Sequence, residues 1–140
     1  MCPAWLTSVC VGGLYPHTRE DLTRWQVGFV YTHIEAPDEA GHHGDIEAKI
    51  WAIEQIDRHI IGQVVEGLRA RHQPFRLMVV PDHFTPIAKR THAEGAVPFL
   101  FYDSERPHPN RLPYDESILT EPGIPVVEEG HRLIEQFFSE

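Results

Sequence analysis

The spacing of apolar and polar positions changes several times along the chain, and each spacing predicts a different element. Gly28–Ile34 is rich in β-branched and aromatic residues, which predicts a strand. Two short apolar runs, Arg76–Val80 and Pro98–Tyr102, predict two further strands. Ile46–Arg71 keeps apolar residues at helical spacing, and Gly130–Phe138 does so over a shorter stretch. The pattern therefore predicts three strands, one long helix and a closing helix.

The segments between these elements carry turn signals. Pro37 ends the first strand and is expected to open a loop that runs to Gly44, and Asp45 is suited to cap the long helix. The Pro-rich stretch Arg106–Pro113 is typical of a loop. Residues 1–27 show no sustained periodicity, so we expect an irregular N-terminal segment there. Residues 28–140 are expected to belong to an α/β domain.

A strand, a long helix and a second strand in this order predict a βαβ unit. Its two strands should be parallel and its crossover right-handed. Open α/β sheets bind ligands just beyond the carboxyl ends of their strands. Residues that follow the first and second strands are therefore expected to meet at one edge of the sheet.

Carboxylates and imidazoles are concentrated at that predicted edge. Asp38 and His42 follow the first strand four positions apart, so one helical turn would place both on one side. Asp82 and His83 directly follow the second strand, and His92 precedes the third. Mixed carboxylate and imidazole ligands suit Mn²⁺, Zn²⁺ or Fe²⁺, with Mg²⁺ less natural where histidines dominate. The five residues are candidate metal ligands.

Either Asp–His pair alone has an ordinary explanation. An aspartate four residues before a histidine is common by chance, and aspartate is frequent in turns. The two pairs follow two strands of one predicted unit, and a third loop histidine comes next, which favours a metal or phosphate site. Gly41 and Gly44 would let the backbone pass close to such a ligand.

Length, charge and cysteine content narrow the class of protein. The chain has 140 residues and a formal net charge of -9, which fits one domain and argues against nucleic acid or anionic membranes as partners. Its two cysteines form no disulfide framework, and no apolar run approaches the roughly 18 residues of a membrane span. We therefore expect a cytoplasmic protein.

Four segments carry more specific patterns than the spacing alone. They are Phe29–His42 (FVYTHIEAPDEAGH), Val80–Pro86 (VPDHFTP), His92–Pro98 (HAEGAVP) and Glu129–Ile134 (EGHRLI). Together they closely resemble motifs of the archaeal type of cofactor-independent phosphoglycerate mutase, in the alkaline phosphatase superfamily. The resemblance implies a three-layer αβα fold with a mostly parallel sheet, of which this chain would form the C-terminal part.

The resemblance also implies roles for the five candidate ligands. In the family, the positions that match Asp38, His42 and His92 hold one divalent metal, and those that match Asp82 and His83 hold the second. The two metals assist an in-line phosphoryl displacement through a phosphoserine, which interconverts 3-phosphoglycerate and 2-phosphoglycerate in glycolysis. The resemblance makes Mn²⁺ the first expectation, with Zn²⁺, Mg²⁺ and Fe²⁺ as alternatives.

One departure from the family changes the expectation for this chain. The family's serine nucleophile and an early aspartate ligand of the second metal have no counterpart here, so no catalytic nucleophile and no substrate-binding residue are assigned. We expect the first metal to bind, the second to bind weakly, and no mutase turnover by this chain alone. An uncovered sheet edge or face would favour a homo-oligomer.

Two other functions remain open on the sequence. Because the superfamily shares its metal ligands, the chain could belong to a different phosphotransferase or to a phosphatase. Alternatively, it could be a non-catalytic domain that keeps metal ligands as a remnant.

Overall fold

The computed structural model describes residues 12–13, 29–107 and 112–139. Four strands lie in these ranges: β1 (Gly12–Gly13), β2 (Val30–Tyr31), β3 (Arg76–Val79) and β4 (Leu100–Asp103). Four α-helices lie there: α1 (Ala36–His43), α2 (Ile46–Ile56), α3 (Gly62–Ala70) and α4 (Leu133–Phe138). A π-helical turn (Asp57–Ile61) joins α2 to α3, and 3-10 turns occupy Glu116–Thr120 and Gly130–Arg132. The mixture of helices and strands is consistent with the predicted α/β class.

The predicted long helix is confirmed as a continuous helical segment from Ile46 to Ala70. Asp45 caps it as predicted, since its carboxylate accepts a hydrogen bond of 2.9 Å from the Ala48 N–H. The helix widens into the π turn at Asp57, the residue that interrupts the apolar stripe. The closing helix is also confirmed, although its first turn is a 3-10 turn.

The loop predicted between Pro37 and Gly44 is wrong, because most of it is helix α1. Proline is favoured in the first turn of a helix, where its missing N–H costs nothing. Asp38 and Glu39 add negative charge beside the helix N-terminus. Gly44 ends the helix in the left-handed conformation, with φ 71°. Together, the proline, the two acidic residues and Gly44 are local sequence signals of a short capped helix.

The strand pairing differs from the predicted parallel unit. β1 pairs with β2 antiparallel, and β3 pairs with β4 antiparallel, with Arg76 opposite Asp103 and Val79 opposite Leu100. Within the described ranges, β2 and β3 do not pair with each other. A parallel sheet is built from several neighbouring strands covered on both faces. The few short strands here do not form a mostly parallel three-layer arrangement.

The packed interior of the described residues is small. Its buried apolar side chains are Ala36 and Ala40 of α1, Ala52 of α2, and Pro98. By contrast, three isoleucines spaced along α2 are more than half exposed: Ile46, Ile50 and Ile53. A helical apolar stripe normally faces a core. In the part of the chain that the structure describes, this stripe lacks such cover.

The C-terminal helix is held against the strands by aromatic and polar contacts. The Phe137 ring lies edge-on to Phe29 and Phe101, with centroids 6.0 and 5.9 Å away. Arg76 of β3 pairs with Asp103 of β4 at 3.0 Å and also donates to the Phe137 carbonyl at 3.1 Å. One arginine therefore connects both strands of this pair to the end of α4.

Two sequence predictions fall wholly or partly outside the described ranges. Apart from the two residues of β1, the irregular segment predicted over residues 1–27 lies outside them, and so does the middle of the predicted loop Arg106–Pro113. In the described part of the chain, no helix has both the length and the apolar character needed to cross a bilayer.

Candidate metal centre

Helix α1 places Asp38 and His42 on the same side. Because they lie four residues apart in a helix, their side chains project from neighbouring turns. The His42 Nε2 atom is 3.4 Å from the Asp38 Oδ2 atom. The two side chains therefore lie on the same side of a helical turn, as their four-residue spacing predicts.

The loop after β3 folds back on itself and delivers two histidines to α1. Phe84 and Ala93 form an antiparallel bridge, in which the Ala93 N–H donates to the Phe84 carbonyl at 2.9 Å. As a result, the rings of His83 and His92 stack with centroids 3.7 Å apart and planes 29° apart. Residues nine positions apart in sequence thus become direct neighbours.

Three predicted ligands converge in one group. The His92 Nε2 atom lies 3.7 Å from the Asp38 Oδ1 atom. One ligand atom from each of Asp38, His42 and His92 lies within 4.8 Å of the other two. Tetrahedral ligands at about 2.1 Å from an ion lie about 3.4 Å from one another. His42 lies near that distance from one Asp38 carboxylate oxygen, and His92 lies near it from the other. Small side-chain adjustments would therefore let the three residues surround a divalent ion.

A backbone carbonyl fixes the tautomer of His42. Its Nδ1 atom lies 3.0 Å from the carbonyl oxygen of Arg90. A carbonyl can only accept, so Nδ1 carries the proton and the neutral ring has its lone pair on Nε2, facing Asp38. Such an outer hydrogen bond is the usual way that a ligand histidine is oriented. Arg90 has a left-handed backbone, with φ 53°, at the point where it presents this carbonyl.

Thr85 contacts Asp38 and His83, and the sequence pattern does not identify it as a site residue. Its side chain is nearly buried, with 4% relative exposure, and its hydroxyl donates to the Asp38 Oδ1 atom. The same oxygen is 3.2 Å from the His83 Nδ1 atom. Lys49 was also missed, and its Nζ atom donates to the Thr85 carbonyl at 2.7 Å. Both contacts join residues more than thirty positions apart, which a single sequence does not reveal.

Glycine 41 explains how α1 approaches Thr85 so closely. A Cβ atom at Gly41 would lie 2.7 Å from the Thr85 carbonyl oxygen, closer than such atoms approach. Glycine inside a helix costs stability relative to alanine, so it is expected there where a close contact leaves no room for a side chain. The close approach at Gly41 in this structure is to protein backbone, whereas the sequence prediction was of an approach to a bound ligand. Similarly, Gly44 lies against the Arg90 guanidinium.

The environment of Asp38 keeps its carboxylate ionised. Partial burial acts to raise its pKa, but the Thr85 hydrogen bond and the nearby His42, His83 and His92 outweigh burial. The pKa of Asp38 is therefore lowered from its ordinary value. An ionised carboxylate is the form of aspartate that metal ligation requires.

Asp82 and His83 lie beside this group and outside its three-residue cluster. Asp82 accepts a hydrogen bond of 3.1 Å from the His83 backbone N–H, and its Oδ2 atom is 3.5 Å from the His83 Nε2 atom. The Asp82 side chain is 68% exposed. The stacked His83 and His92 rings bring this pair into contact with the first group. Asp82 and His83 each offer one further potential metal ligand.

Comparison with known families places this α/β chain among metalloenzymes. The Metalloenzyme superfamily matches residues 13–121, well over half of the chain, and the chain belongs to that superfamily. The match includes residues 13–27, which the sequence motifs left outside the resemblance. Membership implies divalent metal ions as cofactors.

Curated relatives define the resemblance more closely. The chain is 40% identical over 108 residues to a probable 2,3-bisphosphoglycerate-independent phosphoglycerate mutase of Geobacter sulfurreducens, a match that covers 76% of the chain and 27% of that protein. It is 43% identical over 108 residues to the mutase of Methanothrix thermoacetophila, covering 77% and 27% respectively. A Methanothermobacter thermautotrophicus mutase is 43% identical over 107 residues, covering 76% and 26%.

These matches confirm the resemblance to cofactor-independent phosphoglycerate mutases. The chain spans only about a quarter of the length of the curated relatives it matches. No solved structure shows a significant match to the chain.

Proposed function

We propose that this chain is the metal-binding C-terminal part of a phosphoglycerate mutase that interconverts 3-phosphoglycerate and 2-phosphoglycerate through a phosphoserine. The observation that carries the proposal is the convergence of Asp38, His42 and His92 within 4.8 Å of one another. The identity of 40–43% to named mutases supports the same reaction.

The residues present suit one complete metal site and part of another. Asp38, His42 and His92 would hold the first divalent ion, and Asp82 and His83 would contribute to the second. When bound, such ions act as Lewis acids that neutralise charge on a transferring phosphoryl group. The protein's own part is to hold an ionised carboxylate and correctly oriented imidazoles in place.

The orientation of His42 and Asp38 in the first site depends on atoms that would not bind the ion themselves. The Arg90 carbonyl holds His42 with its lone pair toward Asp38. The Thr85 hydroxyl binds the Asp38 Oδ1 atom and leaves the other carboxylate oxygen facing His42. Mn²⁺ is our first choice of ion because the family resemblance favours it. Mixed oxygen and imidazole ligands also suit Zn²⁺ and Fe²⁺, and Mg²⁺ is a further alternative.

The finer features of the complete enzyme are part of the proposal. They are a three-layer αβα domain with a mostly parallel sheet, a small phosphorylated substrate and a cytoplasmic location. No serine of this chain matches the family's nucleophile. We therefore expect catalysis only where these residues are combined with the rest of the enzyme.

A chimeric enzyme tests the proposed reaction. The segment of the Geobacter sulfurreducens mutase that matches this chain is replaced by the corresponding residues of this chain, and isomerisation of 3-phosphoglycerate is followed with a coupled enolase assay. We expect mutase activity in the chimera and its loss when His42→Ala is added. His59→Ala, an exposed histidine of the π turn, is the matched control.

Two outcomes of that experiment contradict the proposal. A folded, metal-loaded chimera that releases inorganic phosphate without isomerising the substrate indicates a phosphatase. A chimera that binds metal and is inert toward phosphate esters indicates a non-catalytic remnant.

A further inference from the structure

Thr85 hydrogen-bonds to members of both predicted metal groups. Its hydroxyl donates to Asp38, a ligand of the first proposed site. The same oxygen lies 3.2 Å from the Nδ1 atom of His83, which belongs to the second pair. A change in the position of Thr85 would therefore alter the hydrogen bonding of both groups.

The hydrogen-bonding capacity of a hydroxyl determines the direction of these two bonds. Thr85 has one proton to donate, and an ionised Asp38 can only accept it. The Thr85 oxygen therefore faces His83 with a lone pair, and it requires the proton to be on the His83 Nδ1 atom. In the neutral ring, the His83 Nε2 atom is then left as an acceptor.

The other side of His83 is consistent with a cation-binding role. Its Nε2 atom lies 3.5 Å from the Asp82 Oδ2 atom. With Nδ1 protonated, two acceptors face each other across this distance, an arrangement that is relieved when a cation lies between them. The same pairing of a free Nε2 and a carboxylate oxygen is found between His42 and Asp38, at 3.4 Å.

Thr85 is held firmly enough to impose this arrangement. Its side chain is nearly buried, and Lys49 of α2 binds its carbonyl oxygen at 2.7 Å. Gly41 of α1 allows the helix to approach the same carbonyl. Both helices therefore fix the residue from which the hydroxyl reaches Asp38 and His83.

We propose that Thr85 is a positioning residue that holds His83 as its Nδ1-protonated tautomer and orients Asp38, so that the two groups present their free ligand atoms together. The metal-binding part of this role rests on the proposed function. The tautomer part stands on the hydrogen-bond geometry alone.

Two substitutions separate the hydroxyl from the shape of the side chain. Thr85→Val keeps the branched shape and removes the hydroxyl, whereas Thr85→Ser keeps the hydroxyl. The tautomer of His83 is determined from ¹⁵N chemical shifts of the metal-free protein at a pH where the imidazole is neutral, and Mn²⁺ affinity is measured by calorimetry.

We expect Nδ1 protonation of His83 in the wild type and in Thr85→Ser, and a shift toward Nε2 protonation in Thr85→Val. Loss of such an outer contact typically weakens metal affinity about 10- to 100-fold, so we expect a loss of this size in Thr85→Val and recovery in Thr85→Ser. The His42 ring, held by Arg90, should keep its tautomer in both variants and serves as the internal control.

The results distinguish failure of this proposal from failure of the proposed function. Nε2 protonation of His83 in the wild type overturns the role of Thr85, whatever the variants do. So does a Thr85→Val protein with wild-type tautomer and affinity. If the wild type binds no Mn²⁺ while His83 responds to Thr85→Val as expected, the metal site is refuted and the tautomer assignment stands.

Discussion

The Nδ1 atom of His42 lies 3.0 Å from the carbonyl oxygen of Arg90, a residue 48 positions further along the chain. This contact ties helix α1 to the loop that carries His83 and His92. It also sets which nitrogen of His42 is free. The orientation of a candidate ligand therefore depends on a main-chain atom, whose position depends in turn on the left-handed backbone of Arg90.

Arg90→Gly tests whether the main chain or the side chain of Arg90 matters. Glycine adopts a φ of 53° without steric cost, so the carbonyl should stay in place. We expect unchanged Mn²⁺ affinity by calorimetry. The neighbouring Lys89→Gly provides a control for added flexibility. A large loss of affinity in Arg90→Gly alone would show that the guanidinium contributes to the site.

Gly41→Ala should destabilise the protein, although alanine normally favours a helix. The new Cβ atom would lie 2.7 Å from the Thr85 carbonyl oxygen, and such overpacking typically costs about 1–3 kcal/mol. Gly67→Ala in α3 is the matched control, because its Cβ atom would meet nothing within 4 Å. We expect Gly67→Ala to stabilise by about 0.5–1 kcal/mol. Urea unfolding of both variants measures the difference, and equal effects would contradict the close approach of α1 to Thr85.

Tyr114 should make stability depend on pH in the alkaline range. Its hydroxyl lies 3.2 Å from the Val79 carbonyl and 3.3 Å from the Pro98 carbonyl, although the residue as a whole is 39% exposed. Burial raises the pKa of Tyr114 from 10.0 to about 12. Because the folded pKa is raised, the neutral phenol contributes its full stability below about pH 10, and this contribution is lost as pH rises toward about 12.

Tyr114→Phe removes both the hydrogen bond and this pH dependence. We expect a loss of about 1 kcal/mol in the free energy of unfolding at neutral pH, since one hydroxyl bond is removed. Between pH 10 and about 12, the variant should lose less stability than the wild type. Tyr31→Phe, on an exposed side chain, is the control. Parallel pH profiles for wild type and Tyr114→Phe would contradict the account.

The exposed isoleucines of α2 should promote self-association. Replacing Ile50 and Ile53 with glutamate removes exposed apolar surface, so we expect less self-association in sedimentation velocity and little change in thermal stability. Ala52→Glu is the contrasting variant, because Ala52 is buried and a charge there should unfold the protein. Unchanged association after the double substitution would show that this stripe is not the interface.

Local signals in the sequence predicted most of the helices. Asp45 was identified as a cap because it precedes a long apolar periodicity, and both features depend only on neighbouring residues. Helix α1 was missed because Pro37 was interpreted as a loop signal, whereas proline in the first turn suits a helix. The four-residue spacing of Asp38 and His42 nevertheless predicted that their side chains lie on the same side of a helical turn.

Long-range relations were harder to predict. β3 pairs with β4 rather than with β2. The apolar pattern of a strand predicts that it is buried, but it does not specify which strand it pairs with. The roles of Thr85 and Lys49 depend on contacts between α1, α2 and the loop after β3. The internal glycine Gly41 was the one sequence signal of that close packing, and it was interpreted as room for a ligand.

Metal stoichiometry tests the central claim most directly. The purified chain, freed of metal by a chelator, is titrated with Mn²⁺ by calorimetry, alongside His42→Ala and the exposed control His59→Ala. The account predicts one tightly bound ion per chain in the wild type and in His59→Ala, and loss of that binding in His42→Ala. Absence of binding in the wild type at millimolar Mn²⁺, or equal binding in His42→Ala, would contradict it.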